Sequence, residues 1–331
     1  MRMDSVILSR VQSKLFTRKV SAESEQAERR REIYEKIPRI ADIDAELGST
    51  AALILRAALT DGEDPKPKLE ALRKRNAANQ IERAELLRKA GYPADALDAR
   101  YTCPDCSDSG YLPDRSPCHC LVELYAEEQI AELAQELPTK RASFEAFDET
   151  LYPDEPYEGR NSTPRKNALA VRDFCRELAS AQTPERSIFL YGGAGVGKSF
   201  LAAAVAVEAS RHGKSVMARS MGEIVSLYER EKFTYDDDTR DAAQTEIDRL
   251  MSCDLLIIDN LGSEFRSAFG TSTLIGILTV RLGRNRPLMI CSSLGRNELG
   301  QRYSEQVESR LLGDEFFALP LYGDDLRRVD R

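Results

Sequence analysis

The chain has 331 residues, 31% of them charged, which is typical of a soluble globular protein of one or two domains with a charged helical part. Its net charge of −8 excludes binding of nucleic acid through an overall positive field, so such binding needs a local patch or pore. No apolar run approaches the roughly 18 residues that cross a bilayer, and residues 1–20 lack the apolar core of a secretory signal. We therefore expect a cytoplasmic protein without a membrane partner.

The first hundred residues are predicted to be helical. Apolar side chains recur at helical spacing in residues 21–60 and 66–91, and charged residues fill the other faces. A turn rich in Gly and Pro, residues 61–67, separates the two segments and favours an antiparallel helical hairpin. Such a hairpin either docks a partner protein or is a charged spacer, because both use the same amphipathic pattern. We assign residues 1–100 to a partner-binding helical hairpin.

A cysteine-rich segment follows. Its spacing is C-x₂-C, eleven residues, then C-x-C, and the ligand candidates are Cys103, Cys106, Cys118 and Cys120. Four thiolates suit a closed tetrahedral Zn²⁺ site with a structural role, since no position remains for water. Redox cysteines and an iron–sulfur cluster are the alternatives, and the adjacent His119 could replace one cysteine. We predict a zinc-binding knuckle and an acidic helix over residues 101–137, then a proline-containing linker over 138–165.

Strands and helices alternate over residues 166–331, which predicts an α/β domain with a mainly parallel sheet. A short apolar strand, Ser187–Tyr191, is followed by G-x-x-x-x-G-K-S and then by an alanine-rich helix. This is the strand–loop–helix context of a phosphate-binding loop. The predicted nucleotide contacts are Gly192, Gly193, Ala194, Gly195, Val196, Gly197, Lys198, Ser199 and Phe200.

The chemistry of this loop predicts ATP and Mg²⁺ as cofactors. Backbone N–H groups and the helix N-terminus surround the phosphates, and Lys198 reaches the β- and γ-phosphates. The Ser199 hydroxyl is a Mg²⁺ ligand. A second apolar strand ends at Asp259, where ligands gather in an open α/β sheet, so Asp259 is expected to hold Mg²⁺ directly or through water.

The order of these features resembles the bacterial replicative helicase loaders of the DnaC/DnaI type, within the AAA+ ATPases. The resemblance extends from about Arg31 to Arg327. The phosphate loop is shared by many ATPases, so the specific part is the cysteine knuckle together with the tail block, residues 302–327. The resemblance implies a P-loop AAA+ domain with a mainly parallel five-stranded sheet, preceded by a helical segment and a small zinc knuckle.

The resemblance also implies roles. The helices and the knuckle grip the replicative DNA helicase, and Arg310 is an arginine finger that reaches the ATP of the next subunit, so self-association completes the site. A helix-surface arginine is the alternative for Arg310. Residues 221–250 correspond to the contact with single-stranded DNA, where Phe233 and Tyr235 either stack bases or pack in the core.

Three positions depart from the family pattern, and all concern hydrolysis. Asn260 stands where a second acid polarises the attacking water, and an amide can orient water but cannot accept its proton. Ser293 replaces the sensor asparagine, and Gln306 replaces an arginine before the finger helix. Glu264, five residues after Asp259, is a candidate substitute base. We expect an ATPase with slow turnover, in which ATP acts mainly as an assembly switch.

Two other functions compete with the loader. A transposition-associated ATPase of the IstB type has the same AAA+ core, but that group generally lacks the long helical and cysteine-bearing front. A metabolic P-loop kinase would need a lid and a basic substrate pocket after the third strand, and no such segment is present in the sequence.

Overall fold

The computed structural model describes residues 3–58, 66–157, 159–181 and 186–328. It divides into two compact units, which we call the sheet unit (Met1–Val11 and His119–Arg331) and the helical unit (Gln12–Cys118). The prediction of four parts, 1–100, 101–137, 138–165 and 166–331, stays a prediction. None of the described helices is both long and apolar enough to cross a membrane.

The helical unit contains most of α1 (Ser5–Lys36), together with α2 (Pro38–Ala58) and α3 (Lys66–Lys89). Ion pairs between α2 and α3 show that they are antiparallel, since Arg39 binds Glu82 while Glu46, further along α2, binds Arg75 earlier in α3. The unit buries a small core made of Ile33, Ile40, Leu87, Ala96 and Leu97. The predicted hairpin is therefore present, although residues 59–65 of its turn lie outside the described residues.

The first predicted helix, residues 21–60, is wrong in its limits. The structure has two helices there, α1 and α2, which meet at Ile37 and Pro38. Proline has no N–H to donate to the preceding turn, and its ring disfavours a helical residue before it. Helix α1 also begins sixteen residues earlier than predicted, at Ser5, because Ile7, Val11 and Leu15 are buried at helical spacing.

The sheet unit contains a five-stranded parallel sheet, which confirms the predicted fold class. The strand order is β2-β3-β4-β1-β5. The strands are β1 (Ser187–Tyr191), β2 (Val216–Ser220), β3 (Leu255–Leu261), β4 (Leu288–Ser292) and β5 (Phe316–Pro320). In this register Ser220 lies beside Asp259, and Tyr191 lies between Ser292 and Pro320, so the carboxyl ends of the strands form one edge.

Helices cover both faces of the sheet, as expected for nearly continuous apolar strands. They are α4 (His119–Leu133), α5 (Pro164–Ser180), α6 (Lys198–Arg211), α7 (Met221–Phe233), α8 (Asp237–Ser252), α9 (Ala268–Gly283), α10 (Arg296–Arg302) and α11 (Glu305–Leu312). One core cluster includes α5 and α6 residues, and the other includes residues of α7, α8 and α9. Cys175, Cys253 and Cys291 are buried, as predicted for small core residues.

Residues 138–163 connect α4 to α5 and contribute to the first of these cores. Ala142, Phe144 and Tyr152 are buried in it. A single turn of 3₁₀ helix, Glu149–Leu151, begins with Asp148 accepting a hydrogen bond from the Thr150 N–H. Apolar side chains thus fix this proline-containing segment against the sheet unit.

Candidate functional site

The phosphate-binding loop joins β1 to the first turn of α6. Gly195 and Gly197 have φ angles of +77° and +102°, which residues with a side chain rarely adopt. A Cβ on Gly195 would lie 1.7 Å from an oxygen of Asp325, and one on Gly197 would lie 2.5 Å from the Tyr152 hydroxyl. The loop therefore depends on glycine both for its conformation and for close packing against the chain's tail.

Lys198 lies at the start of α6 and bends back over the loop. Its ammonium donates to the carbonyls of Gly192 (2.9 Å) and Gly193 (2.6 Å). Burial lowers the pKa of this ammonium from its usual value, while the nearby Asp259 opposes that effect. A triphosphate would supply a stronger, charged acceptor than these carbonyls.

Asp259 on β3 faces Ser199 across the site. The Ser199 hydroxyl donates to Asp259 Oδ2 at 2.7 Å. The other oxygen, Oδ1, is buried and has no hydrogen-bond partner among the described residues. A buried carboxylate oxygen without a partner is costly unless a cation or donor completes it. The donor set, one carboxylate and one hydroxyl beside a phosphate loop, fits Mg²⁺.

The three positions that depart from the family pattern are all at the surface. Asn260 has a left-handed backbone (φ +56°), is exposed, and its amide is 3.4 Å from Asp259 Oδ2. Ser293 and Gln306 are exposed as well. The neighbouring Ser292 is the buried one, and its hydroxyl donates to the Leu261 carbonyl at 2.7 Å, which ties the ends of β3 and β4 together.

Glu264 lies in the loop after β3, and its side chain is only 7% exposed. Its Oε2 accepts the Gly262 N–H at 3.0 Å, and its Oε1 accepts the Tyr303 hydroxyl and lies 3.5 Å from the Arg302 guanidinium. Both oxygens are therefore engaged. The role of general base stays a prediction, and it would require this carboxylate to leave some of these partners.

Arg310 is placed near the end of α11 and is half-buried. Within the described part of the chain, its guanidinium has no hydrogen-bond or ion-pair partner. Partial burial of an arginine covers its aliphatic stem and leaves the charged head accessible. This arginine is thus available for an anion that the subunit itself does not provide.

Phe233 at the end of α7 contacts Phe269 at the start of α9, with ring centroids 5.8 Å apart. We call these two rings and Lys232 the aromatic patch, and the exposed rings of Tyr235 and Phe265 are near them in the sequence. Phe265 is 98% exposed and Phe233 is 62% exposed, and the Lys232 ammonium lies over the rings of Phe233 and Phe269. Phe233 and Tyr235 are therefore not core residues. Asp236, in the acidic run that follows, caps α8 by accepting from Thr239.

The four cysteine sulfurs of residues 103–120 come together as predicted, with all four Sγ atoms within 4.8 Å of one another. The Gly110 N–H points at Cys106 Sγ (3.3 Å), and the buried Asp108 accepts the N–H groups of Thr102 and Cys103. An N–H group aimed at sulfur, as that of Gly110 is, stabilises a thiolate, and the four sulfurs fit a closed Zn²⁺ site. His119 is exposed and lies 3.5 Å from Glu123, although it can also reach Cys103 and Asp105.

Sequence reasoning missed two residues around the nucleotide site. The Tyr152 hydroxyl donates to the Val196 carbonyl of the loop at 3.0 Å. Asp325 lies against Gly195, and the next residue, Leu326, donates its N–H to the Gly195 carbonyl at 3.1 Å. Neither residue carries a signal in the sequence, because both reach the loop from distant parts of the chain.

Comparison with known proteins agrees with this geometry. Residues 166–314 match the model of the IstB-like ATP binding protein family. The replicative helicase loader DnaC of Escherichia coli K12 is 26% identical over 167 residues, which are 49% of this chain and 62% of DnaC, and DnaC of Shigella flexneri matches equally. The chain thus spans less than two thirds of the curated relatives it matches.

Two solved structures are similar to part of the chain. A crystal structure of DnaI is 21% identical with a TM-score of 0.43, covering 57% of this chain and 93% of DnaI. The crystal structure of the DnaC helicase loader is 16% identical with a TM-score of 0.44, covering 56% and 99%. The predicted resemblance is confirmed by the sequence matches: residues 166–314 match the IstB-like ATP-binding family, and about half of the chain is similar to the replicative helicase loader DnaC.

Proposed function

We propose that this chain is an ATP-binding helicase loader, which engages the replicative DNA helicase and helps to place it on single-stranded DNA when replication begins. The observation that carries the proposal is a phosphate loop with Ser199 bonded to Asp259, in a chain whose Arg310 guanidinium has no partner among the described residues. In an ATP site that is shared between subunits, such an arginine serves the nucleotide of the neighbour rather than an acid of its own chain. The site is instead divided between neighbouring subunits.

Each residue of the site has a defined task in this proposal. Lys198 moves from the loop carbonyls to the β- and γ-phosphates, and the backbone N–H groups of Gly195 and Gly197 face the phosphate oxygens. Ser199 and Asp259 would hold Mg²⁺, which neutralises charge on the phosphates when bound. Arg310 of the adjacent subunit supplies positive charge to the γ-phosphate, where charge develops during phosphoryl transfer.

ATP acts in this proposal mainly as an assembly switch, and its hydrolysis is slow. Asn260 can hold a water molecule but cannot take its proton, and both oxygens of Glu264 already accept hydrogen bonds. Steady-state turnover with helicase and single-stranded DNA tests this view. A rate as fast as that of an ordinary loader, abolished by Asn260→Ala, contradicts it.

Two surfaces are available for the partners. In the helical unit, Phe16 on α1 and Ile81 on α3 are large apolar side chains left in solvent, at 69% and 63% exposure, and we assign them to the helicase contact. The aromatic patch is assigned to single-stranded DNA, because aromatic rings stack bases of any sequence and Lys232 adds a cation for phosphate. The cysteine knuckle would hold Zn²⁺ as a structural ion.

The experiment is to mix the protein with its replicative helicase and ATP and to measure complex mass by mass photometry. We expect a large complex for the wild type, a loss of that complex for Lys198→Ala, and a weakened or smaller one for Arg310→Ala. Arg284→Ala is the matched control, because Arg284 is an exposed arginine at the end of α9. Complexes that form equally with all four proteins contradict the proposal.

A second candidate function is a transposition-associated ATPase, favoured by the family model that matches residues 166–314. It needs no helicase partner. Capture of the replicative helicase by the tagged full chain supports the loader. Capture of a transposase in its place, with no helicase bound in the presence of ATP, supports the second candidate.

A further inference from the structure

Glu264 is held by groups from two separate parts of the sheet unit. One partner, the Gly262 N–H, belongs to its own loop after β3. The other two belong to the junction of α10 and α11: Arg302 is the last residue of α10, and Tyr303 follows it. Arg302 also donates to the backbone carbonyl of Glu264. A single residue thus connects the loop that follows Asp259 to the base of the helix that carries Arg310.

The surroundings make this connection a persistent one. The Tyr303 hydroxyl must stay protonated to donate, and burial raises the pKa of Tyr303, with the hydrogen bond to Glu264 as the second cause. The contact is charge-assisted and nearly excluded from water, which strengthens it relative to an exposed ion pair. Arg302 is itself only 17% exposed.

The elements on either side are anchored independently. Ser292 joins the ends of β3 and β4 through the Leu261 carbonyl, and the Leu294 N–H donates back to the Ser292 hydroxyl at 3.0 Å. At the other end, Ser304 caps α11 by accepting the Val307 N–H at 3.4 Å. Glu264 therefore links the loop after β3 to the start of α11, and each of these is held by hydrogen bonds of its own. A displacement of the loop should then displace α11 as well.

We infer that Glu264 is a positioning residue, which holds α10 and α11 in register with the loop after Asp259 and so aims Arg310 at the ATP site of the neighbouring subunit. This inference rests on the proposed role of Arg310. In this role both carboxylate oxygens of Glu264 keep the hydrogen bonds that they accept in the structure. A general base would instead need an oxygen that faces the attacking water. Positioning by Glu264 also lets nucleotide at one Asp259 affect the arginine that serves the next site.

Tyr303→Phe separates the two roles of Glu264, because it weakens the link by removing the Tyr303 contact, keeps the Arg302 contacts and leaves the carboxylate in place. For a positioning residue, we expect single-turnover hydrolysis in the assembled complex to fall roughly 10- to 100-fold, with ATP affinity of the isolated chain unchanged within about twofold. Glu264→Gln keeps an acceptor for Tyr303 and should lose less. If Glu264→Gln abolishes hydrolysis while Tyr303→Phe leaves it intact, Glu264 is the base and the inference is overturned.

A double-mutant cycle shows whether the effect passes through the arginine. The readout is ATP-dependent complex formation, which Arg310→Ala weakens without abolishing, and in that background Tyr303→Phe should cause no further loss. A full additional loss there means that Tyr303 acts elsewhere and overturns the inference. A general loss of stability would not produce this dependence on Arg310.

Hydrogen–deuterium exchange of the isolated chain tests the link without any assembly. Tyr303→Phe should speed exchange in α11 and leave residues 192–199 unchanged. Tyr34→Phe is the matched control, since the Tyr34 hydroxyl donates to the Asp44 carboxylate in the helical unit, and it should leave α11 as in the wild type. If Arg310→Ala does not alter turnover, the proposed function fails. The connection between Glu264 and α11 is then tested by hydrogen–deuterium exchange alone, and unchanged exchange of α11 in Tyr303→Phe overturns it.

Discussion

Within the phosphate loop, the space next to each glycine differs from one position to the next. Gly195 has a left-handed φ and contacts Asp325, whereas a Cβ on Gly193 would meet only Val196 at 3.8 Å, an ordinary contact. We expect Gly195→Ala to weaken ATP binding about 10-fold or more, since strained left-handed backbone alone costs roughly 1–3 kcal/mol. Gly193→Ala should stay within about threefold of the wild type. Titration of a fluorescent ATP analogue measures both.

The cause of that loss can be separated into two parts. Asp325→Ala in the Gly195→Ala background removes the carboxylate that the new methyl group would strike. We expect part of the affinity to return, with the backbone strain remaining. Binding of the single Gly195→Ala variant at wild-type affinity would show that the loop rearranges freely and that the tail does not constrain it.

Residues that act through local sequence could be predicted, and those that act across the fold could not. Lys198, Ser199 and Asp259 follow from a loop motif and a strand end, because backbone geometry fixes where such side chains point. Asp325 reaches the loop only because β5 lies beside β1, and Tyr303 reaches Glu264 only through packing of α10. No spacing in the sequence encodes those contacts.

Among the elements, α4 is held to the edge of the sheet by one buried side chain. Gln129 donates to Ser210 (2.7 Å) and to the Lys214 carbonyl (2.8 Å), and its Oε1 accepts the N–H of Val216 on edge strand β2 (3.0 Å). We expect Gln129→Ala to lower the free energy of unfolding by about 2–3 kcal/mol, because several buried polar groups lose their partner. Gln135→Ala, at an exposed position, should change it little. Urea denaturation compares the two, and equal midpoints would contradict this role of Gln129.

The cysteine knuckle is an element with little apolar core, so its stability should depend on metal. We expect about one Zn²⁺ per chain in the purified protein, lost in Cys118→Ser, together with a lower melting temperature. His119→Ala should retain the metal, because the four sulfurs already form a complete set. Elemental analysis and thermal unfolding measure both effects. Loss of zinc in His119→Ala and its retention in Cys118→Ser would show that His119 replaces Cys118 as a zinc ligand.

Element boundaries illustrate which sequence signals were strong. Strand β1 was predicted with its observed limits, since an apolar run is bounded there by a glycine loop. The start of α1 lies within residues 1–20, where Ile7, Val11 and Leu15 recur four apart, so the helical spacing was already present there. Helix α1 ends at Lys36, two residues before Pro38, a break that the hydrophobic periodicity alone does not reveal.

At the scale of the whole molecule, a site divided between subunits can be tested with two inactive variants. Lys198→Ala cannot bind the phosphates but still presents Arg310, and Arg310→Ala binds ATP but serves no neighbour. In a mixed assembly, a chain with intact Lys198 can lie beside one with intact Arg310. ATP bound to the Arg310→Ala chains drives assembly, and random incorporation of Lys198→Ala in equal amounts sets an upper limit of about a quarter of the sites restored.

We therefore expect each variant alone to show almost no single-turnover hydrolysis with helicase and single-stranded DNA. The equal mixture should recover up to about a quarter of the wild-type amplitude, once mass photometry has shown that both variants are present in the complex. Mixing Lys198→Ala with the double variant Lys198→Ala/Arg310→Ala is the control, because no site in that mixture has an intact phosphate loop. Activity in the mixture no higher than in this control would place Arg310 outside the ATP site. Full hydrolytic activity of Arg310→Ala alone would show that each subunit hydrolyses ATP without Arg310 of its neighbour.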